Sequence, residues 1–202
     1  MSATLTKEYI IFMQRLLKSN GLYTGRIDGS WGPKTTSAVE TFEALSLKLA
    51  KDLGSFDEQT ERNIKSLHLK AQEAARKFMK TLKTAGITAR IISGTRTYEE
   101  QNTLYKKGRN GNHSPKVTNA KGGQSNHNFG IAWDIGIFIN DKYMTSVSPY
   151  NEAGQVALAA SIPKLEWGGN WVKFVDRPHY QLDTQLALAE ERDMFEKGQP
   201  YI

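Results

Sequence analysis

The sequence predicts an α+β protein: three short helices at the N-terminus, then a larger domain with a small antiparallel sheet flanked by helices. Three patterns predict it. Tyr9, Ile10, Met13, Leu16 and Leu17 recur at helical spacing. Residues 131–139 alternate instead, with Ile131, Trp133, Ile135, Ile137 and Ile139 on one side and Ala132, Asp134, Gly136 and Phe138 on the other. "ITARIISGTRT", residues 87–97, reads as a strand entering a glycine turn.

The elements follow in order. Gly21 is placed to end the first helix. "GLYTGRIDGSWGPKT" is a tight loop with Asp28-Gly29 as its turn, and Pro33 sits where a second helix begins. Ala38, Val39 and Phe42 continue the buried face of that helix. A short echo follows at an offset of 25 residues: Gly29-Ser30-Trp31, Thr35 and Val39 align with Gly54-Ser55-Phe56, Thr60 and Ile64. Residues 57–84 read as helical through Ile64, Leu67, Ala71, Ala74, Ala75, Phe78, Met79 and Leu82, and Gly86 ends the run. The segment 184–197 reads as a packing helix; its acidic balance argues against a role on an anionic membrane. The pattern divides the chain into 1–65, the helical module, and 66–202, the larger domain.

Composition narrows the chemistry. With 39% hydrophobic and 24% charged residues, the chain is globular rather than disordered. It has no cysteine, which excludes disulfides, thiolate metal sites and cysteine nucleophiles. Any metal site must use His68, His113, His127 or His179 with carboxylates. The opening stretch lacks the pattern of a secretory signal, so the expectation is synthesis in the cytoplasm. No apolar run has the length for membrane insertion.

The net charge is +6. Residues 101–133 hold Lys106, Lys107, Arg109, Lys116 and Lys121 and no acid. This is either a solvated loop or a surface drawn to a polyanion such as an anionic cell wall. No nucleic-acid motif accompanies it, and aromatic residues are not interleaved for stacking.

The candidate chemistry begins at "SNHNFGIAWDIG", residues 125–136. Asp134 is a carboxylate on the small-residue face of a strongly apolar strand, where burial of its charge calls for a cationic partner. His127 lies seven residues earlier, an odd offset. It shares a site with Asp134 only if the chain bends, and Asn128-Phe129-Gly130 can supply the bend. In "FVDRPHYQL", Asp176 precedes His179 by three. Two histidines and an aspartate meet the ligand count of catalytic zinc, with another carboxylate left over as general base. Arg96 follows a strand and a glycine turn, a loop position suited to anion or oxyanion contact. His68 and His113 are not counted as ligands.

Two resemblances emerge from these motifs. "LLKSNGLYTGRIDGSWGPKTTSAVETFE" resembles the N-terminal part of the peptidoglycan-binding modules of wall hydrolases, through G-x-[YF]-x-G-x-I-D-G-x-[WF]-G at residues 21–32. The second half departs from that pattern, with Asp57-Glu58 in place of Gly-Pro. Trp31 and Tyr23, taken singly, read as core residues of the module. The remainder resembles the zinc peptidases that include D-alanyl-D-alanine carboxypeptidases and L-alanyl-D-glutamate endopeptidases. The matching motifs are S-G-x-R at Ser93–Arg96, S-x-H-x-x-G-x-A-x-D at Ser125–Asp134 and W-x-x-F-x-D-x-P-H at Trp171–His179. "LYKKGR" and "VTNAKGGQSNHNFG" are similar to the endopeptidase branch.

That resemblance implies Zn2+ held by His127, Asp134 and His179, with Asp176 as base and Arg96 stabilising the transition state. Ser125 and Gln101 would position substrate or hold the site. Trp167, Gly168, Gly169 and Trp171 would shape the wall of the cleft, with core packing the alternative for the two tryptophans. The implied function is hydrolysis of the L-alanyl-D-glutamate bond of peptidoglycan by a monomeric phage endolysin that reaches the wall after release from the host cytoplasm. Two alternatives stand beside it: a D-alanyl-D-alanine carboxypeptidase, and a non-catalytic zinc-stabilised wall-binding protein.

Overall fold

The computed structural model describes residues 5–109, 111 and 113–202. The fold is α+β, with a small sheet whose strands all pair antiparallel. The helices are α1 (Lys7–Ser19), α2 (Pro33–Leu53), α3 (Glu58–Lys65), α4 (Leu69–Thr84), α5 (Tyr98–Lys106), α6 (Val147–Ala159) and α7 (Leu188–Lys197). The strands are β1 (Ala89–Ser93), β2 (Ala132–Ile139), β3 (Lys142–Tyr143), β4 (Leu165–Trp167) and β5 (His179–Leu182). Their order is β1-β2-β5-β4, with β3 paired to β2. No described helix is long and apolar enough to cross a membrane.

Packing gathers the chain into two compact units, neither continuous in sequence. One comprises the chain up to Glu43, Arg96–Phe129 and Gln185–Tyr201; the other comprises Ala44–Thr95, Gly130–Thr184 and Ile202.

In the first unit, α1 is capped by Thr6, whose side chain accepts from the Tyr9 N–H. Its buried face carries Ile10, Phe12, Leu16 and Leu17. A buried polar residue on the same helix organises the loop that follows. Gln14 accepts from the Asp28 and Gly29 N–H groups at 3.0 and 2.9 Å. Its amide donates to the Asp28 carboxylate, the Ser30 carbonyl and the Tyr23 hydroxyl. The tight loop thus closes around one side chain, which satisfies backbone donors that no helix or strand pairs. Tyr23 is buried, as its reading as a core residue anticipates. Trp31 is not: it is 42% exposed, with its indole N–H held by Thr36. The C-terminal helix completes this unit. Phe195 of α7 lies 5.5 Å, ring to ring, from both Phe12 and Phe129, and the Tyr201 hydroxyl donates to the Phe129 carbonyl.

In the second unit, the helical reading of residues 57–84 is interrupted. α3 ends at Lys65 and α4 starts at Leu69. His68 makes the break: its ring accepts from the Lys70 N–H as an N-cap, and its own N–H donates to the Gly130 carbonyl. The apolar stripe continues across the break, so periodicity alone did not reveal it. Asp57, which departs from the Gly-Pro of the repeat, caps α3 through the Thr60 N–H. Arg76, wholly buried, forms a two-pronged pair with Glu61 and also donates to the Gly54 carbonyl. The core lies between α4, α6 and one face of the sheet, where Phe78, Trp133, Tyr180 and Trp167 meet.

Candidate metal centre

The sheet register determines what each face carries. Trp133 stands opposite Tyr180, and Tyr180 opposite Trp167, so these rings share the core face. The next pair along β2 and β5 is Asp134 opposite His179, which the two-residue period turns to the other face. The alternation read from residues 131–139 is present: Trp133, Ile135 and Ile137 are buried in the core, while Asp134 is partly exposed. Ile139, at the strand end, is exposed.

His179 is held from both sides of its ring. Nδ1 lies 3.0 Å from Asp134 Oδ1, and Nε2 lies 2.9 Å from Gln181 Oε1. Gln181 is two residues along the same strand and so on the same face. Its amide donates to Glu166 at 2.6 Å; Glu166 is its cross-strand partner on β4. The second oxygen of Glu166 accepts from the Trp171 indole at 2.6 Å. The Trp171 ring lies 5.0 Å from the imidazole.

Burial disfavours a charged His179, but the hydrogen bond and charge of Asp134 outweigh it, aided by Gln181 and the charge of Asp176. The net effect raises the imidazole above its ordinary value of 6.5.

Asp176 approaches through a close backbone contact. Its N–H donates to the Gly168 carbonyl, and its carbonyl accepts from the His179 N–H. A Cβ on Gly168 would lie 2.5 Å from the Asp176 carbonyl, so only glycine admits the loop at this distance. Trp167 is buried, and its indole donates to the Arg177 carbonyl. Trp167 therefore packs in the core, whereas Trp171 packs against His179. Val172 and Phe174, between Trp171 and Asp176, are exposed.

His127 comes from a separate piece of backbone. It lies in a short 3-10 turn, Asn126–Phe129, opened by Ser125, whose carbonyl accepts from the Asn128 N–H. Asn128 is buried; its amide donates to the Arg96 carbonyl and its oxygen accepts from the Gly123 N–H. The Arg96 N–H in turn donates to the His127 carbonyl at 3.0 Å. The Arg96 loop and the His127 turn are thus laced together by their backbones. The bend that the odd offset from Asp134 requires is present, since Gly130 follows the turn with φ of +70°.

Gln101 is wholly buried in α5, and its amide donates to the Ala120 carbonyl and towards Thr118. Those contacts hold the 118–120 loop. Arg109 serves the same loop, donating to the Tyr105 and Thr118 carbonyls and to Asn119. One charge of the basic stretch is therefore committed to loop structure. His113 is exposed.

Ligand atoms of His127, Asp134 and His179 all lie within 4.8 Å of one another. The set fits a divalent metal: two imidazoles and one carboxylate, within reach of a single ion. The sequence reading named all three residues. It did not name Gln181 or Glu166. The available signal was His-x-Gln on a strand, which puts both side chains on one face.

Comparison with known proteins agrees with this arrangement. Residues 118–182 match the family model described as D-alanyl-D-alanine carboxypeptidase, and residues 6–46 match that of a peptidoglycan binding domain. The chain is 38% identical over 106 residues to the peptidoglycan L-alanyl-D-glutamate endopeptidase CwlK of Bacillus subtilis (strain 168), a stretch covering 48% of this chain and 62% of that protein. The match thus spans less than two thirds of that relative's length. The crystal structure of the Serratia marcescens L-Ala D-Glu endopeptidase ChiX has a similar fold, with a TM-score of 0.50 and 21% identity over 64% of this chain and 90% of that one.

Proposed function

We propose that this chain is a metal-dependent peptidase of the D-alanyl-D-alanine carboxypeptidase family, with a peptidoglycan-binding module in residues 1–65, and that it cleaves the stem peptide of peptidoglycan. The observation that carries this reading is the His127–Asp134–His179 cluster, lying inside the segment that matches the peptidase family. Likeness to two L-alanyl-D-glutamate endopeptidases supports that bond as the target.

Zn2+ is the metal proposed, from the His, His, Asp donor set. When bound, it supplies a Lewis acid that polarises the scissile carbonyl and makes water acidic enough to react near neutral pH. The chain's residues do the rest. His127, Asp134 and His179 would hold the ion. Asp176, next to His179, accepts a proton from the attacking water and passes it to the leaving amine. Arg96 offsets the negative charge that develops on the carbonyl oxygen. Ser125 positions substrate. Gln101 contributes through the loop it holds.

The description of the matched family favours a second reading, removal of the terminal D-alanine. Digestion of purified peptidoglycan, followed by mass spectrometry with and without a chelator, separates the two. New L-alanine C-termini and D-glutamate N-termini, lost on chelation, are expected. Release of terminal D-alanine by cleavage of the D-alanyl-D-alanine bond, with the Ala–Glu bond left intact, would replace the endopeptidase reading with the carboxypeptidase one. No cleavage of either bond would leave the non-catalytic wall-binding alternative.

The biological setting proposed is lysis by a phage enzyme that acts on the wall after leaving the host cytoplasm. A wall-directed module joined to a stem-peptide peptidase supports it. Lysis of cells producing the protein only when the membrane is permeabilised is the expected result; lysis without permeabilisation would count against it.

A further inference from the structure

We propose that Glu166, through its bond to Gln181, sets the orientation of His179, so that a strand-to-strand relay prepares Nδ1 for metal binding. This rests on the reading of His179 as a metal ligand.

The argument follows the polarity of each hydrogen bond. A carboxylate only accepts. Glu166 therefore takes the Trp171 indole N–H on one oxygen and the Gln181 amide N–H on the other, both at 2.6 Å. Gln181 has then committed its NH2 end to Glu166. Its oxygen is left facing His179 Nε2 at 2.9 Å. An amide oxygen cannot donate, so Nε2 must carry the proton. The opposite nitrogen, Nδ1, is then the one that faces Asp134 at 3.0 Å and can offer a lone pair to an ion shared with it. Trp171 closes the arrangement: the indole bonded to Glu166 lies with its ring against the imidazole. Every member is on β4, β5 or the segment after β4, so the sheet register supplies the alignment.

The relay has a distinctive weakness. Glu166 serves two donors with two oxygens. Glu166→Gln keeps the shape but leaves one oxygen for two donors. Either Trp171 loses its acceptor, or Gln181 turns its NH2 towards Nε2 and favours the wrong form of the ring. The double substitution Glu166→Gln with Gln181→Glu reverses the polarity of the middle bond. Gln at 166 then accepts from Trp171 and donates to Glu at 181, which still accepts from Nε2–H.

Zinc affinity, measured by competition with a chelating dye, tests this without reference to catalysis. Outer partners of metal-bound histidines typically matter by about 10- to 100-fold in affinity, and a loss of that size is expected for Glu166→Gln. The double variant should recover most of it. Nitrogen NMR of His179 should show the Nε2 proton in the zinc-loaded wild type and the double variant, and its weakening in the single variant. Thermal melts identify any variant that has simply lost its fold. Wild-type affinity in Glu166→Gln, or a double variant no better than the single one, would overturn the relay and leave the metal-site reading intact. Absence of zinc binding by the wild type would overturn both.

Discussion

Asp134 and His179 face each other directly across β2 and β5, one residue beyond the Trp133–Tyr180 pair that packs in the core. The sheet that aligns the core therefore also aligns two of the three proposed ligands. The third, His127, depends on a turn. This difference in origin shapes what each substitution should do.

His127→Ala should abolish stoichiometric zinc binding while leaving the sheet intact. Metal content after dialysis, read beside far-ultraviolet circular dichroism, checks both halves. Full metal content in the variant would remove His127 from the ligand set.

Asp176→Ala should retain both fold and metal and lose hydrolysis. A positioned general base contributes about 10²- to 10⁴-fold, and the loss should fall in kcat. Retained turnover on purified peptidoglycan would refute its role as base. The same result separates catalysis from a purely structural metal site, which needs no such carboxylate.

The pH dependence has a definite sign. Asp134, Gln181 and Asp176 together raise His179 above 6.5 despite its burial. A raised imidazole stabilises the metal-free fold below 6.5, and that contribution is lost as pH climbs through the raised value. Metal binding needs Nδ1 without its proton. Zinc affinity should therefore rise over the window in which the metal-free protein loses this stabilisation. Melts of chelator-treated protein and dye competition from about pH 6 to about pH 9 read the two trends, and a zinc affinity flat with pH would contradict the assignment of His179.

Gln14→Leu should destabilise the N-terminal loop. The Asp28 and Gly29 N–H groups lose their acceptor, and unsatisfied partly buried donors cost about 2 kcal/mol together. For a chain of this size that lowers Tm by about 4–8 °C. Zinc binding should persist. An unchanged melting temperature would show that the loop is held by other means.

The His127–Asp134–His179 cluster was legible because chemistry and strand period agree: a carboxylate on the small-residue face of β2 needs a partner, and His179 was near another acid. The fold class was legible from the stripe in α1 and the alternation in β2. The less visible features depend on contacts far apart in sequence. The break at His68 hides inside an unbroken apolar stripe, since a buried cap can occupy a stripe position. Gln14 looks like an ordinary polar residue on α1; only the folded loop reveals that its oxygen accepts from two backbone N–H groups while its amide faces acceptors of the same loop. Phe195 reads as one apolar position in an acidic helix, and its partners Phe12 and Phe129 lie far back along the chain. Glu166 and Gln181 meet only once β4 and β5 are in register.

The contact between Trp171 and His179 gives the protein an optical reporter of its own. Of four tryptophans, Trp133 and Trp167 are buried in the core and Trp31 sits in the N-terminal module. Trp171 has its ring against a proposed ligand. A protonated imidazole quenches an adjacent indole, and a coordinated one has lost that proton. Emission from this single side chain should brighten as the centre fills, so occupancy can be followed in unlabelled protein, in real time and without substrate.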